Sequence, residues 1–360
     1  MDDVNSTIAI LQLNVPGDVH LILLHVVYGI AFIAGTTGNS LVILAVLLSK
    51  KLRTTTNAFV VNLSVADLLT CLMLPAYAIY VQALLFGIGD TLVGFWVGIV
   101  TKVIEYTTLG CSILTLMCIA LNRWLLISRP LTTYLKVYTP KKIALWLVFT
   151  WVMSFVVIII PPLVPGQIMR TFRVVMAVVM FPVPSIVIIT CYALIWRRIN
   201  RLVKRKADSA STHEVSNEPI THISTVTQLD GIASRSDSTR PQASSKSAKM
   251  TGNCQLIRHQ THVTKNMFYV VCAFVLCVGP SAVSLSMGIY DRASLVGEYA
   301  FAVLLFNSCI NPLIYATKHR DFKTVFRCIV RRQWDNIPEP SDFLNAARRS
   351  KCCGRNNSSV

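Results

Sequence analysis

The sequence predicts an all-α membrane protein, a seven-transmembrane helix bundle followed by a short amphipathic eighth helix. Only 14% of the 360 residues are charged, whereas soluble domains average about 25%, and the mean hydropathy is +0.56. Long apolar stretches reach the roughly 18 residues that a membrane-spanning helix requires. The apolar runs between polar breaks give seven spans, at residues 21–48, 57–82, 97–124, 143–164, 174–196, 267–290 and 299–316.

The basic residues orient these spans. Of the 34 Lys and Arg residues, all except Lys102, Arg170, Arg173 and Arg292 lie on one side of the bundle. Membrane proteins concentrate basic residues on their cytoplasmic side. We therefore expect a multi-pass plasma-membrane protein with an extracellular amino terminus and a cytoplasmic carboxyl terminus. This topology also explains the net charge of +17 without a nucleic-acid partner.

Composition divides the chain into four parts. The loop at residues 197–265 is rich in Ser and Thr and poor in apolar residues, which predicts a disordered third cytoplasmic loop. Asn5 opens an Asn-Ser-Thr acceptor for N-glycosylation on the extracellular side. The four parts are the amino terminus at 1–20, the membrane domain at 21–316 with this loop inside it, an amphipathic helix at 317–332 and a cytoplasmic tail at 333–360.

The segment after the last span carries an apolar stripe among basic residues. The stripe consists of Phe322, Val325, Phe326 and Ile329. This spacing predicts an interfacial helix lying along the lipid bilayer. Three cytoplasmic cysteines are either free thiols or sites of S-palmitoylation, namely Cys328, Cys352 and Cys353. The final Ser-Ser-Val fits the groove of a PDZ-domain protein.

Asp67 lies in the middle of the second span, where a charge costs about 2.5 to 3.5 kcal/mol to insert. Five other polar side chains are expected at a similar depth, namely Asn39, Ser112, Asn307, Ser308 and Asn311. Oxygen ligands of this kind suit a hard cation such as Na⁺. The alternative is a hydrated hydrogen-bond network that only joins the helices.

Four prolines interrupt the apolar runs. They are Pro75, Pro184, Pro280 and Pro312. Each removes a backbone hydrogen bond and kinks its helix. Such kinks are either passive packing features or the deformable elements of a conformational switch.

Catalytic and transport functions find no support in the sequence. It contains no metal-spaced group of His and Cys, no nucleophile motif and no phosphate-binding loop, so we expect neither an enzyme nor an organic cofactor. A transporter would show repeated halves or several ionisable residues along a path, and no internal repeat is evident.

Each of the seven spans carries a short motif. In order these are Gly38-Asn39, Leu63/Ala66/Asp67, Asn122-Arg123-Trp124 with Pro130-Leu131, Trp151, Pro184 with Tyr192, Phe274 with Cys277-Val278-Gly279-Pro280, and Asn311-Pro312-Leu313-Ile314-Tyr315. The ordered set resembles the class A, rhodopsin-like G-protein-coupled receptors. The Asn-Arg-aromatic motif is also similar to that of melatonin-receptor-like branches, which points to an orphan branch of that kind.

The resemblance implies a signalling mechanism. Arg123 would turn to meet Tyr192 and Tyr315 as the sixth span swings outward about Pro280. The opened crevice would admit the carboxyl-terminal helix of a heterotrimeric G-protein α subunit, against which Leu131 would pack. An extracellular signal would thus reach G proteins through a shift of conformational population, with an arrestin as a further candidate partner.

The chain departs from the family pattern around Arg123. Asn122 replaces an acidic residue that restrains this arginine by an ion pair, and Trp124 replaces a tyrosine. An asparagine can hydrogen-bond the guanidinium but cannot form the ion pair. The departure favours an alternative function, that of a constitutively active or ligand-independent protein with the receptor fold.

Two further departures lie nearer the ligand. Val278 stands where the family has a tryptophan switch, so Phe274 would carry more of that packing role. Gly98 holds the position of the family's cysteine in the third span, so no disulfide is expected. Leu305 holds the position of the lysine that binds retinal in opsins, which excludes covalent retinal.

Position within the family also implies a ligand pocket. Glu105 stands where amine-binding relatives hold a cation, three residues after Lys102. Either these two side chains pair with each other, or Glu105 binds a cationic ligand group or Lys102 an acidic one. The pocket would also include Tyr77, Tyr80, Tyr106, Met176, Met180, Ser281, Ser284, Leu285, Tyr299 and Phe301. This mixture suits an amphipathic small molecule.

Overall fold

The computed structural model describes residues 18–85, 91–159, 182–214, 268–284 and 295–348. In these ranges the seven spans are helices. Six are long and apolar enough to cross a membrane, and α6 is a shorter apolar helix. The helices are α1 (Asp18–Leu48), α2 (Thr55–Leu85), α3 (Leu92–Ser128), α4 (Pro140–Ile159), α5 (Pro182–Glu214), α6 (Phe268–Ser284), α7 (Leu295–Lys318) and α8 (Arg320–Val330). The predicted all-α fold class is confirmed.

The cytoplasmic end of α5 differs from the expectation. The sequence predicted disorder from residue 197, but α5 continues as a helix to Glu214, so the prediction was wrong for residues 197–214. Arg, Lys, Leu and Ala are strong helix formers, and the membrane span supplies a nucleated helix that they extend. The rest of the predicted loop and Asn5 lie outside the described residues.

Contacts between the helices place α3 at the centre of the bundle. It touches α2, α4 and α5, while α1, α2 and α7 touch one another. The close approach of α1 to α7 requires a glycine, because a Cβ atom at Gly38 would lie 2.9 Å from the Cβ atom of Pro312. Ile22, Leu145 and Ile186 are exposed on the outside of the bundle, as expected of a surface that faces lipid.

The predicted amphipathic helix corresponds to α8. Its apolar stripe of Phe322, Val325, Phe326 and Ile329 is buried. The Phe322 ring stacks on the ring of Tyr315, with centroids 5.5 Å apart, and α8 contacts both α1 and α7. The stripe therefore packs against the helical bundle.

After α8 the chain turns back, and we call residues 331–348 the return segment. Arg332 adopts a positive φ of 57° at the turn, and Ser49 forms an antiparallel bridge with Pro340. The hydrogen bonds to the cytoplasmic end of α1 run from Lys50 N to Glu339 O (2.7 Å), from Ser341 N to Leu48 O (2.8 Å) and from Ser49 Oγ to Pro338 O (2.6 Å). The sequence predicts residues 333–360 as a cytoplasmic tail and gives no sign of this pairing.

An ion pair joins the return segment to the first cytoplasmic loop. The Lys50 ammonium donates to the Asp342 carboxylate at 2.5 Å, and this contact lowers the pKa of Asp342 below its usual value. Both side chains are largely exposed, so the pair contributes little stability. The buried side chains of Ile337 and Leu344 hold the segment in place.

The return segment covers a cysteine. Cys328 is buried, and its Sγ atom donates to the carbonyl oxygen of Asn336 at 3.5 Å. A thiol in this position is not presented to the membrane surface, which argues against the predicted palmitoylation of Cys328. Cys352 and Cys353 lie outside the described residues, and their palmitoylation stays a prediction.

We predict that Leu344→Ala opens the return segment. The Leu344 side chain is 6% exposed, and loss of a buried leucine side chain costs about 2 to 5 kcal/mol. Hydrogen–deuterium exchange should then accelerate at the amides of Lys50 and Ser341. Phe343→Ala is the matched control, because the neighbouring Phe343 side chain is 76% exposed. Equal exchange in both variants would contradict the packing described here.

Candidate functional site

The polar cluster around Asp67 forms much as the sequence predicted. Its Oδ1 atom accepts hydrogen bonds from Ser112 Oγ and Ser308 Oγ, both at 3.0 Å, and Oδ2 accepts one from Asn311 Nδ2 at 2.8 Å. Asn39 bonds the backbone oxygen of Ser308 at 2.9 Å. Asp67 is fully buried, so these contacts tie α1, α2, α3 and α7 together around one carboxylate.

The same cluster also contains an amide oxygen that could bind a cation. Among the described residues, the buried Oδ1 atom of Asn39 has no hydrogen-bond partner, although it lies beside the Asp67 network. Asn307 is buried as well, but its Nδ2 atom finds no partner in the described part of the chain and bonds no member of the network there. Carboxylate, hydroxyl and amide oxygens are the ligands that hard cations take. The donor set thus fits Na⁺, and it equally fits a hydrogen-bond network that holds the helices.

At the cytoplasmic end of α3, the side-chain amide of Asn122 forms hydrogen bonds with two neighbouring elements. Its Oδ1 atom accepts a hydrogen bond from Thr56 Oγ1 at 2.8 Å, and its Nδ2 atom donates to the hydroxyl of Tyr134 at 3.2 Å. Tyr134 lies in a short helix, Leu131–Val137, and sequence reasoning missed it. The amide therefore joins α3 to α2 and to the second cytoplasmic loop.

Arg123 is buried close to two tyrosines that the motifs singled out. Its guanidinium interacts electrostatically with the hydroxyls of Tyr192 on α5 and Tyr315 on α7. The structure thus brings together the three residues that the resemblance links. Trp124 lies outside this group, with its ring 5.8 Å from the Arg129 guanidinium. The side chain of Leu131 lies outside the described residues.

Helix α6 packs closely against its neighbours. The ring of Phe268 contacts that of Tyr192 on α5 at 6.4 Å between centroids, and the Lys318 ammonium lies 5.2 Å from the centre of the Tyr269 ring. Farther up, Phe274 and Val278 are buried. Phe274 therefore occupies the packing position expected of it, and Pro280 follows on the exposed side of α6.

On the extracellular side, Lys102 and Glu105 do not pair. The Lys102 ammonium lies 5.4 Å from the centre of the Tyr80 ring, because that ring offers it a favourable face at the end of α2. Within the described ranges, Glu105 has neither a salt bridge nor a side-chain hydrogen bond, although only 6% of it is exposed. The described residues therefore contain no salt bridge between Lys102 and Glu105, and this predicted alternative is wrong.

Other predicted pocket residues have varied surroundings. The rings of Tyr77 and Phe301 meet at 4.8 Å between centroids, whereas Tyr106 is 36% exposed. Ser281 donates to the backbone oxygen of Ala300 at 2.7 Å, and Tyr299 bonds His20 at 2.8 Å. Met176, Met180 and Leu285 lie outside the described residues.

Sequence reasoning missed Glu298. Its carboxylate accepts hydrogen bonds from the hydroxyl of Tyr28 at 3.0 Å and from that of Tyr77 at 3.5 Å. The last span was predicted to begin at residue 299, which assigned Glu298 to a loop. An acidic residue directly before a predicted span was the available signal.

A tyrosine fills the space beside Gly98. A Cβ atom at Gly98 would lie 2.4 Å from the Tyr80 ring, which is closer than real atoms approach. The family's cysteine therefore has no room here, and the Tyr80–Lys102 contact joins α2 to α3 instead.

Comparison with known proteins agrees with this arrangement. The family described as 7 transmembrane receptor (rhodopsin family) matches residues 38–315, and the chain belongs to it. The alpha-1D adrenergic receptor of Mus musculus is 27% identical over 355 residues, which cover 90% of this chain and 61% of the relative. The octopamine receptor beta-2R of Drosophila melanogaster is 25% identical over 344 residues, which cover 86% of this chain and 62% of the relative. The alpha-1A adrenergic receptor of Oryzias latipes is 28% identical, with 87% of this chain and 67% of the relative covered.

These relatives define the class of protein. The chain is a multi-pass membrane protein of the rhodopsin-like receptor class and not an enzyme. It spans about three fifths of the length of the mouse and fly relatives. The expected likeness to a melatonin-receptor-like branch is not confirmed, since the relatives are adrenergic and octopamine receptors.

We predict that Gly98→Ala destabilises the extracellular ends of α2 and α3. The added methyl group must displace the Tyr80 ring and with it the Lys102 contact, at a cost of about 1 to 3 kcal/mol for overpacking. The melting temperature of the purified protein should fall. In the double variant Gly98→Ala/Tyr80→Leu the smaller side chain makes room, so Gly98→Ala should cost little in that background. An equal loss in both backgrounds would show that the Tyr80 ring is not the obstacle.

Proposed function

We propose that the protein transmits the binding of an extracellular small molecule to heterotrimeric G proteins by outward movement of α6. One observation carries this proposal, the burial of Arg123 within electrostatic range of Tyr192 and Tyr315, on three helices at the cytoplasmic end of the bundle. A buried guanidinium beside two hydroxyls can change partners at little cost in hydrogen bonding. That property suits a switch between two packed states.

The contacts of α6 indicate what such a switch must break. In the present arrangement Phe268 packs on Tyr192, and Tyr269 lies under the Lys318 ammonium. Outward movement of α6 separates both pairs and frees Tyr192 to approach Arg123. The kink that Pro280 introduces supplies the point about which the cytoplasmic half of α6 turns. The cleared space would accept a helix of the G-protein α subunit, with Leu131 beside it.

The burial of Glu105 favours a ligand with a cationic group. A buried carboxylate without a partner is costly, and a ligand ammonium would remove that cost. The similar proteins are named for octopamine and for adrenergic reception, which agrees with an amine. The aromatic rings of Tyr77 and Phe301 would contact the apolar part of an amphipathic small molecule.

A second candidate function is constitutive, ligand-independent signalling. It is favoured by Asn122, which is neutral and therefore cannot supply the acidic partner that the family places beside its arginine, and whose amide is bonded to Thr56 and Tyr134. Both functions use the same cytoplasmic switch. They differ in whether a ligand must bind at Glu105 before α6 moves.

The remaining expectations belong to the same proposal. The protein would lie in the plasma membrane with its amino terminus outside and a glycan on Asn5. An arrestin would use the cytoplasmic crevice, a PDZ-domain protein would bind the end of the chain at Val360, and lipid would be attached at Cys352 and Cys353.

We predict basal G-protein activation that depends on Arg123. Activation would be measured in cells without ligand, across the α-subunit classes and at equal surface expression. Arg123→Ala should abolish the signal. Asn122→Asp should lower it roughly fivefold, because an ion pair of about 1 kcal/mol would favour the inactive state by that factor. Asn122→Ala is the control, since it removes the amide without adding a charge. A basal signal that Asn122→Asp leaves unchanged or raises would refute this role.

We also predict that Na⁺ stabilises the protein through Asp67. The melting temperature of the purified receptor should rise when N-methylglucamine is replaced by Na⁺ at constant ionic strength. Asp67→Asn should abolish this difference, because the anionic ligand is lost. Ser64→Ala is the control, a change of a buried hydroxyl on the same helix outside the Asp67 network. A sodium effect that survives in Asp67→Asn would favour the plain hydrogen-bond network.

A further inference from the structure

The extracellular part of the bundle holds a second carboxylate near the first. Glu105 on α3 is buried and has no side-chain hydrogen bond in the described part of the chain. Glu298 on α7 is partly buried and accepts hydrogen bonds from Tyr28 and Tyr77. The two glutamates lie close enough for their charges to interact. A pocket for a ligand with one cationic group would need only one of these two glutamates.

Acidic side chains outnumber basic ones in the described part of this region. Lys102 is close enough to act electrostatically on both Glu105 and Glu298. Its ammonium nevertheless lies over the Tyr80 ring, and it forms no salt bridge with any residue that the structure describes. The described part of this region thus holds two carboxyl groups and a single ammonium. The hydroxyls of Tyr28 and Tyr77 are neutral donors, so they orient Glu298 without cancelling its charge.

Three aromatic rings accompany Glu298. Tyr77 lies 4.8 Å from Phe301 and 5.8 Å from Tyr28 between ring centroids, and Tyr28 lies 6.3 Å from Phe301. All three rings are buried. Aromatic faces attract alkylammonium groups, and a carboxylate beside them adds a counter-ion. This combination favours cations over anions and neutral groups.

We propose that the pocket contains a second cation subsite, formed by Glu298 with Tyr28, Tyr77 and Phe301, and that its ligand carries two cationic groups. One ammonium would bind at Glu105 and the other at Glu298. The inference rests on the proposed ligand-binding function and deepens it, because it names a dicationic class of ligand. Such a ligand offers one ammonium to each carboxyl group, and its connecting chain would lie against the apolar walls of the pocket.

The test compares ligands that differ by a single charge. Thermal unfolding of the purified full-length receptor would be followed with α,ω-diaminoalkanes of three to eight carbons and with monoaminoalkanes of the same lengths. Wild type should be stabilised by a diamine of preferred length at concentrations at least about tenfold lower than by the matched monoamine, the factor expected of one additional charged contact. Glu298→Gln should remove this preference and keep the monoamine effect. Glu105→Gln should remove both effects.

Two further variants serve as controls for this test. Asp342→Asn is the control for a carboxylate-to-amide change, because Asp342 lies on the cytoplasmic side, and it should preserve the diamine preference. Phe301→Leu keeps both carboxylates and removes one ring of the subsite, so it should reduce the preference without abolishing it. This variant gives a second readout where Glu298→Gln folds poorly.

The outcomes separate this inference from the proposed function. Equal potency of diamines and monoamines on wild type, stabilisation by neither, or a preference that persists in Glu298→Gln would each overturn the second subsite. Basal G-protein activation that Arg123→Ala abolishes would still support the signalling function in those cases. A diamine preference in a protein that activates no G protein would instead support the subsite and count against the signalling function.

Discussion

The structure depends on one constraint, that polar side chains buried in an apolar bundle must find their partners on neighbouring helices. Inside a bilayer no water is available to replace a missing hydrogen bond. Asp67 accepts bonds from Ser112 on α3 and from Ser308 and Asn311 on α7. A rotation of either helix would take at least one hydrogen-bond donor away from a buried carboxylate, which is costly. The cluster thus fixes the orientation of α2, α3 and α7 relative to one another.

The same constraint explains how the chain tolerates its departures from the family. Asn122 lacks the negative charge of the usual residue, yet its amide oxygen bonds Thr56 and its amide nitrogen bonds Tyr134. Beside Gly98, Tyr80 fills the space of the missing cysteine and its ring carries the Lys102 ammonium. Each departure replaces one kind of contact between elements by another. The bundle therefore remains packed at both positions.

The cytoplasmic side gains stability from a part of the chain that follows the membrane domain. The return segment pairs with the end of α1 through backbone hydrogen bonds at Lys50 and Ser341, and Leu344 is buried beneath it. Because α8 contacts α1 and α7, the segment braces α7 from below. Helix α6 has no such brace in the described residues, and it packs on the bundle through buried side chains such as Phe274 and Val278. The lack of a brace agrees with the proposed outward movement of α6.

The sequence by itself determined the helical spans, α8 and the need for partners around Asp67, because hydrophobic length, spacing and buried charge are properties of local segments. Only the tertiary structure decided which side chains meet. It gave Lys102 the Tyr80 ring as its partner in place of Glu105, and it brought Glu298 to Tyr28, which lies 270 residues earlier in the chain. Contacts over such separations depend on the rotation and depth of whole helices. Apolar periodicity sets neither quantity closely enough for single residues to be paired in advance.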